Sequence, residues 1–146
     1  MTKVLKIEVS SGEVMLADFL IDKAPKTCDA LMKALPYQQK TLTHGRWSGH
    51  AVYIYTDLNL RIAECSRSYG VAPGDILYNP HVVDSPIYPN ELIFVYGPSA
   101  IRNEVGYGIA NLCARIRPEY WLMLHELGID INRHGEREVT LSLLEE

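Results

Sequence analysis

The chain has 146 residues, of which 47% are hydrophobic and 22% are charged, and its formal net charge at neutral pH is −4. This length and composition are typical of one soluble globular domain, and we expect residues 1–146 to form a single domain. The negative net charge and the lack of a basic run argue against nucleic-acid binding, because nucleic-acid-binding proteins neutralise phosphates with clustered lysine and arginine.

The N-terminus and the cysteines indicate the cellular compartment. Met1–Glu8 lacks the apolar core of a signal peptide and instead resembles a first strand. No apolar run approaches the roughly 20 residues that span a bilayer. We therefore expect a cytoplasmic protein with no membrane partner. Cys28, Cys65 and Cys113 are widely spaced, and this spacing favours reduced thiols over a disulfide framework or a zinc site.

The N-terminal part of the chain predicts a hairpin followed by a helix. Lys3–Val9 and Glu13–Leu20 are rich in strand-forming residues, and a Ser-Ser-Gly turn joins them, which favours an antiparallel hairpin. Pro25 is suited to the first position of a helix. Apolar residues then recur at helical spacing, at Cys28, Leu31, Met32 and Leu35. A second proline ends this helix, and Pro36–Lys40 is predicted to be a loop.

The segment His44–Tyr55 is the strongest candidate for a functional site. Its second half, Ala51–Tyr55, is β-branched and aromatic, as in a core strand. If the whole segment is one extended strand, four polar residues share one face: His44, Arg46, Ser48 and His50. Gly45 and Gly49 would leave room for another backbone or for a ligand.

The remaining sequence predicts further strands and one more helix. The predicted strands are Leu60–Cys65, a strand within Gly74–Pro80, Glu91–Gly97, Ile109–Ile116 and Glu138–Leu144. Two loops are predicted, the proline-rich His81–Asn90, in which Tyr88–Pro89 is a candidate cis bond, and the polar Ser99–Gly108. The second helix begins at Pro118 and ends at Gly128, and the charged turn Asn132–Arg137 precedes the last strand.

The order of these elements indicates the architecture. Strands outnumber helices, and the chain shows no β-α-β alternation. We therefore predict a mainly β fold, a closed or nearly closed antiparallel β-barrel whose open ends are covered by two α-helices.

The chain resembles the cyclophilin-like superfamily in three respects. Lys23–Leu31 is similar to the Ala-Pro-Lys-Thr start of the first cyclophilin helix, and Gly74–Tyr78 with Leu92–Gly97 resembles strands of bacterial cyclophilin-like proteins. The element order is similar over nearly the whole chain. More narrowly, Arg46–Ala51 and Val95–Gly97 look like a bacterial cyclophilin-like family of unknown function. The resemblance implies a cyclophilin-like barrel.

Cyclophilins catalyse the cis–trans isomerisation of X-Pro bonds, whose uncatalysed barrier is roughly 18–20 kcal/mol. By resemblance, Arg46, two residues after His44, occupies the place of the arginine that cyclophilins present in a Phe-His-Arg context. The Phe-Met-x-Gln run of cyclophilins does not follow, because Ala51–Tyr55 continues as a strand. The Asn-Gly-Ser-Gln-Phe-Phe run is echoed only by Asn111–Cys113. The resemblance therefore implies the barrel more strongly than the catalysis.

We predict that a pocket at the side of the barrel binds a small anionic or amide-containing ligand. Arg46 is the first candidate, because its planar charged group suits a carboxylate, a phosphate or a carbonyl; a structural salt bridge is the alternative for this residue. The predicted ligand-binding residues are His44, Arg46, Trp47, Ser48, Tyr53, Tyr78, Asn79 and Arg102.

Other chemistry is disfavoured by the spacing of the residues. Ser48 does not lie in a Gly-x-Ser-x-Gly elbow, which argues against a serine nucleophile. The set of His44, His50, His81 and Glu64 lacks a compact ligand pair, so no metal is expected. No phosphate-binding glycine loop is present, so no cofactor is expected.

Three functions follow from this reading. Binding of a small molecule or a peptide ranks first. A structural homo-oligomer without catalysis ranks second. A weak or altered peptidyl-prolyl isomerase ranks third, and in that case Arg46 is the catalytic residue.

Overall fold

Strands dominate the computed structural model, which describes residues 2–80, 90–103 and 106–146. The strands are β1 (Lys3–Val9), β2 (Val14–Phe19), β3 (Tyr37–His44), β4 (Gly49–Tyr55), β5 (Ser66–Arg67), β6 (Asp75–Asn79), β7 (Glu91–Ser99), β8 (Arg102–Asn103), β9 (Gly106–Tyr107), β10 (Ala110–Ile116) and β11 (Arg137–Glu145). The α-helices are α1 (Pro25–Ala34) and α2 (Trp121–His134), and a 3-10 turn at Pro118–Tyr120 leads into α2.

Eight strands form a closed ring in the order β2-β1-β11-β3-β4-β7-β6-β10, and every pairing in the ring is antiparallel. The ring closes because β10 pairs back onto β2, with Arg115 opposite Asp18. The short β5 extends from β10, and β8 pairs with β9 in a separate hairpin. The predicted closed antiparallel barrel with two helices is confirmed.

Alternation along the strands divides the ring into an inner and an outer face. The inner face forms the main core, with fully buried side chains such as Leu5, Ile7, Ile54, Leu92 and Leu141. The intervening residues point outward, as expected for a period of two. A second, smaller cluster on the outer face includes Leu77, Val95 and Leu112.

The first hairpin and the first helix form as predicted. β1 and β2 pair with Ile7 opposite Met15, and both of these side chains lie in the core. Helix α1 begins at Pro25, ends at Ala34 and buries Cys28 and Leu31 against the barrel. Within the described residues, neither helix combines the length and the apolar character needed to cross a bilayer.

The prediction of a loop over Pro36–Lys40 is wrong, because β3 begins at Tyr37. β3 pairs with β11, with Lys40 opposite Val139. Only Tyr37 and Leu42 are buried in this strand. Its other side chains are polar and partly or fully exposed, so the sequence lacks the apolar alternation that marks a strand.

The predicted strand over Leu60–Cys65 is also wrong, since this segment forms no regular structure and belongs to no sheet among the described residues. Side chains satisfy its backbone groups instead. The Leu60 N–H donates to the Tyr78 hydroxyl at 3.2 Å. The Asn111 amide donates to the Ile62 carbonyl at 3.0 Å and accepts from the Glu64 N–H at 3.2 Å. These long-range partners replace a strand ladder and are invisible in local sequence.

Helix α2 runs past Gly128 to His134, so the predicted end at Gly128 is wrong and the charged turn is shorter than predicted. The helix ends at Gly135, which has a φ of 104°. Gly128 lies in the middle of the helix for a packing reason. A Cβ atom at this position would lie 2.3 Å from Cδ1 of Tyr96. This glycine therefore lets the helix approach the barrel closely.

Of the predicted loop His81–Asn90, residues 81–89, with the Tyr88–Pro89 bond, lie outside the described residues. The predicted loop Ser99–Gly108 contains the short β8–β9 hairpin. The strands predicted within Gly74–Pro80 and over Glu91–Gly97 are confirmed as β6 and β7.

We expect the Gly128→Ala variant to be less stable than the wild type by about 1–3 kcal/mol, because the added methyl group overlaps the buried Tyr96 ring. This loss should exceed the roughly 1 kcal/mol that alanine gains over glycine in a helix. Urea denaturation followed by circular dichroism measures the difference. Glu126→Ala, at an exposed position of the same helix, is the control and should change stability by less than about 0.5 kcal/mol. Equal stability of Gly128→Ala and the wild type would contradict close packing here.

Candidate functional site

The segment His44–Tyr55 forms a hairpin, so the prediction that its four polar residues share one face of a continuous strand is wrong. β3 ends at His44, residues 45–48 turn, and β4 begins at Gly49. The Gly45 N–H donates to the Ala51 carbonyl at 2.8 Å and closes the turn. Gly49 permits this path because its φ is 98° and a Cβ atom would lie 2.7 Å from the Pro98 carbonyl oxygen.

Beside this turn, the outward-pointing side chains of strands β6, β7 and β4 form two rows. Glu91 lies opposite Tyr55 on one side and opposite Asn79 on the other. In the next row, Ile93 lies opposite Tyr53. Residues directly opposite one another on antiparallel strands have Cβ atoms roughly 4.5–5.5 Å apart and share a face. The rows therefore form a continuous floor on the outer face of the barrel.

The turn and these rows enclose an open cleft of about 340 Å³. The turn contributes one rim, which consists of Arg46, Trp47 and Ser48. The floor combines polar groups with apolar ones, and the segment after β7 adds Ile101 and Arg102. A cleft of this size lies within the range of small-molecule sites, which is roughly 300–1,000 Å³.

Arg46 supplies positive charge to the cleft. The residue is exposed, and its guanidinium forms no salt bridge or hydrogen bond with the described residues. The structural salt bridge considered for this arginine is therefore not formed with the described part of the chain. Its charge acts on the Tyr53 hydroxyl, where it favours the ionised form.

Two tyrosines form one wall of the cleft. The hydroxyls of Tyr53 and Tyr55 share a hydrogen bond of 3.2 Å, and their ring centroids lie 5.1 Å apart. Burial raises the pKa of Tyr53 well above its usual value, and the bond to Tyr55 and the charge of Glu91 raise it further. The Tyr53 hydroxyl therefore stays protonated near neutral pH and can donate to a ligand.

Glu91 is the cleft residue that sequence reasoning missed. Burial raises the pKa of its carboxyl group from 4.5 to about 7. No described residue donates a hydrogen bond to this carboxylate. The sequence carries only a weak signal for Glu91 as a cleft residue. It is an acid at the start of an apolar strand, and alternation places its side chain on the same face as Ile93.

Ser48 and the adjoining segment hold the turn in place. The Ala100 N–H donates to the Ser48 carbonyl at 3.0 Å, and the Arg102 N–H donates to the Ser48 hydroxyl at 3.4 Å. Trp47, which is 49% exposed, leaves much of its ring accessible at the rim. The role of Ser48 in the structure is thus to join the turn to the end of β7.

The structure brings most of the predicted ligand-binding residues together, but not Tyr78 or His44. Those that line the cleft are Arg46, Trp47, Ser48, Tyr53, Asn79 and Arg102. Tyr78 is fully buried inside the barrel, where its hydroxyl donates to the Leu58 carbonyl at 2.5 Å. His44 binds the Tyr96 hydroxyl through Nε2 at 2.6 Å. These two contacts leave neither side chain facing the cleft.

The histidines at the end of the barrel contact an aromatic ring. The rings of His44, His50 and His125 lie with centroids 5.5–5.9 Å from that of Tyr96. Glu64, considered with two of them as a metal ligand, instead accepts a hydrogen bond from the Thr27 N–H beneath α1. In the part of the chain that the structure describes, no three His, Cys, Asp or Glu side chains are arranged to hold a metal ion. His81 lies outside that part.

A closed eight-stranded antiparallel barrel with two helices defines the chain as a cyclophilin-like fold, and solved structures confirm this class. McbB in complex with tryptophan matches with a TM-score of 0.72 and 20% identity over 94% of this chain, which spans only 44% of the McbB chain. The hypothetical protein AF2241 from Archaeoglobus fulgidus matches with a TM-score of 0.60 and 18% identity, over 97% of this chain and 93% of that one.

A cyclophilin-type peptidyl-prolyl cis-trans isomerase from Cryptosporidium parvum, solved in the presence of the dipeptide Ala-Pro, also matches. Its TM-score is 0.53 and its identity 14%, over 98% of this chain and 99% of that one. Likenesses at these identities show the fold alone.

The chain belongs to the family described as protein of unknown function DUF3830, whose model matches residues 6–143. The predicted resemblance to a cyclophilin-like family of unknown function is thereby confirmed. A search of curated proteins by sequence found no match to the chain.

The raised pKa of Glu91 predicts a pH-dependent stability difference between wild type and Glu91→Gln. Between pH 4.5 and about 7 the folded wild type binds more protons at this residue than the unfolded chain does. Wild-type stability therefore falls as the pH rises through this window and the carboxylate ionises in the fold. We expect Glu91→Gln to gain about 1–3 kcal/mol relative to wild type between pH 4 and pH 8.

Thermal denaturation at several pH values measures this difference. Glu126→Gln, which neutralises an exposed glutamate outside the cleft, is the matched control and should follow the wild type at every pH. A Glu91→Gln profile parallel to that of the wild type would show that the Glu91 carboxyl titrates alike in the folded and unfolded chain.

Proposed function

We propose that this protein binds a small anionic or amide-containing ligand in the outer cleft, with Arg46 as the anchoring residue. The observation that carries the proposal is the exposed Arg46 guanidinium at the rim of the cleft, which forms no salt bridge with the described residues. A guanidinium presents a planar set of donors that matches a carboxylate or phosphate group with two parallel hydrogen bonds.

The rest of the cleft favours a ligand with an apolar or aromatic body. The exposed face of Trp47 and the rings of Tyr53 and Tyr55 offer flat apolar surface beside Arg46. Ile93 provides an aliphatic patch on the floor. Aromatic side chains with polar tips combine contact area and hydrogen bonding, which suits a small molecule or a peptide side chain.

Among the solved structures, McbB supplies a fold-level precedent for this ligand class. Its structure was solved in complex with tryptophan, a molecule with a carboxylate and an aromatic ring. An amino acid of this kind agrees with an arginine anchor and an aromatic wall. The precedent rests on the shared fold, since the two sequences are 20% identical.

We expect the wild type to bind 4-methylbenzoate, a probe with one carboxylate on an apolar ring, and Arg46→Gln to bind it at least tenfold more weakly. A hydrogen bond to a charged group contributes roughly 1.5–3 kcal/mol, and about 1.4 kcal/mol corresponds to a factor of ten. Isothermal titration calorimetry on the full chain measures both affinities.

The matched control for this titration is Arg133→Gln, which removes an exposed arginine from α2, outside the cleft. This control should bind the probe as the wild type does. Equal affinity of Arg46→Gln and the wild type, or no binding by the wild type, would refute the proposal.

A second candidate function is a weak peptidyl-prolyl isomerase, favoured by the exposed arginine in an outer cleft of a cyclophilin-like barrel. In this alternative Arg46 donates to the prolyl amide and weakens its resonance. A protease-coupled assay on a proline-containing peptide distinguishes the two functions. The binding proposal predicts equal rates for the wild type and Arg46→Ala, whereas the isomerase alternative predicts an acceleration that Arg46→Ala abolishes.

A further inference from the structure

We propose that the cleft has two chemically distinct ends, with Arg46 binding an acidic group and Glu91 binding an amine or N–H group of the same ligand. The ligand class is then an amino-acid-like zwitterion whose two charged groups are separated by an apolar body. This inference rests on the proposed function, because it assigns a second anchor to the same site.

The surroundings of Glu91 suit a donor from a ligand. The residue lies in the row Tyr55–Glu91–Asn79, between a phenol and an amide. No described residue donates to its carboxylate, and the group is largely removed from water. A carboxylate without a partner in such a place is costly, and a ligand amine would offset this cost with a charge-assisted hydrogen bond.

The spacing of the two ends sets the length of the ligand. The turn that carries Arg46 is bonded to β4 at Ala51, whereas Glu91 lies opposite Tyr55, four residues further along β4. Four residues span about 13 Å of strand. The Arg46 charge acts on the hydroxyl of Tyr53, midway along this path, so the separation of the two charged groups is shorter than the full span.

The floor between the two ends offers apolar surface. Ala51 and Ile93 lie between the turn and the row of Glu91, and both line the cleft. A single aromatic ring that carries an acid at one end and an amine at the other fits this arrangement.

Three probes with the same ring separate the contributions of the two ends. The first, 4-(aminomethyl)benzoate, carries both charges; 4-methylbenzoate carries the acid alone; 4-methylbenzylamine carries the amine alone. Calorimetric titration of the full chain at pH 8, where the Glu91 carboxyl group is mostly ionised, measures all three affinities. We expect the zwitterion to bind at least tenfold more tightly than either single-charge probe.

Substitutions at two positions, Glu91 and Arg46, assign the ends. Glu91→Gln should weaken 4-(aminomethyl)benzoate about tenfold and leave 4-methylbenzoate within about twofold of wild type, while Glu91→Asp, which keeps the charge, should recover part of the loss. Arg46→Gln should weaken both probes that carry a carboxylate. Glu126→Gln is the control for the loss of an acid elsewhere, and circular dichroism verifies that every variant is folded.

A pH series gives an independent readout of Glu91. Affinity of wild type for 4-(aminomethyl)benzoate should rise by at least fivefold between pH 6 and pH 8, since the carboxyl group ionises in this range. The Glu91→Gln variant should show no such rise.

The outcomes separate the inference from the proposed function. If 4-methylbenzoate binding depends on Arg46 but the zwitterion binds no more tightly and is unaffected by Glu91→Gln, the two-ended cleft is wrong while the arginine-anchored cleft stands. If no probe binds in an Arg46-dependent manner, both are wrong.

Discussion

Pairing between β2 and β10 closes the sheet, and this closure is the constraint on which the rest of the structure depends. A closed sheet has no free edge along the ring, so every strand of the ring has two partners and a fixed register. Alternation then sends half of the side chains into the core and half to the outer face. Part of that outer face is covered by the chain around Ile101 and Ala110, which packs over Leu77 and Val95. The adjoining part, beside the β3–β4 turn, stays open and becomes the cleft.

The cleft draws its groups from two kinds of element. Glu91 and Asn79 lie on strands with paired neighbours on both sides, so their positions follow from the register of the barrel. Arg46 and Trp47 lie on a short turn, which is held by the bonds from Gly45 to Ala51 and from Ala100 to Ser48. The cleft thus combines a charged donor on a restrained turn with a desolvated acid on a strand of the barrel. This division is common in binding sites, where a scaffold of regular structure positions a loop that carries specific contacts.

The shared fold does not determine what the members of the family bind or catalyse. The three solved structures named above share the architecture at 14–20% identity, and they include one complexed with tryptophan and one isomerase solved with a dipeptide. Function is therefore inferred from the side chains of the cleft, not from the barrel. The cleft of this chain is lined by charged residues of both signs, Arg46, Arg102 and Glu91. The chain belongs to a family of unknown function, and the titrations of the Arg46 and Glu91 variants test a function for this member.

Local patterns in the chain were enough for the first hairpin and helix α1, because each rests on residues close in sequence, and the order of the elements along the chain was enough for the barrel. They were misleading wherever distant contacts replaced a local signal. β3 is polar and yet is a strand because β11 pairs with it, and Leu60–Cys65 is apolar and yet unpaired because Asn111 and Tyr78 bind its backbone. Gly128 lies within a helix because Tyr96 packs on it. The neighbours of Glu91 are Tyr55 and Asn79, and only the pairing of three strands brings these residues into one row. Sequence periodicity specifies which faces are apolar, whereas the register between distant strands decides which polar groups meet.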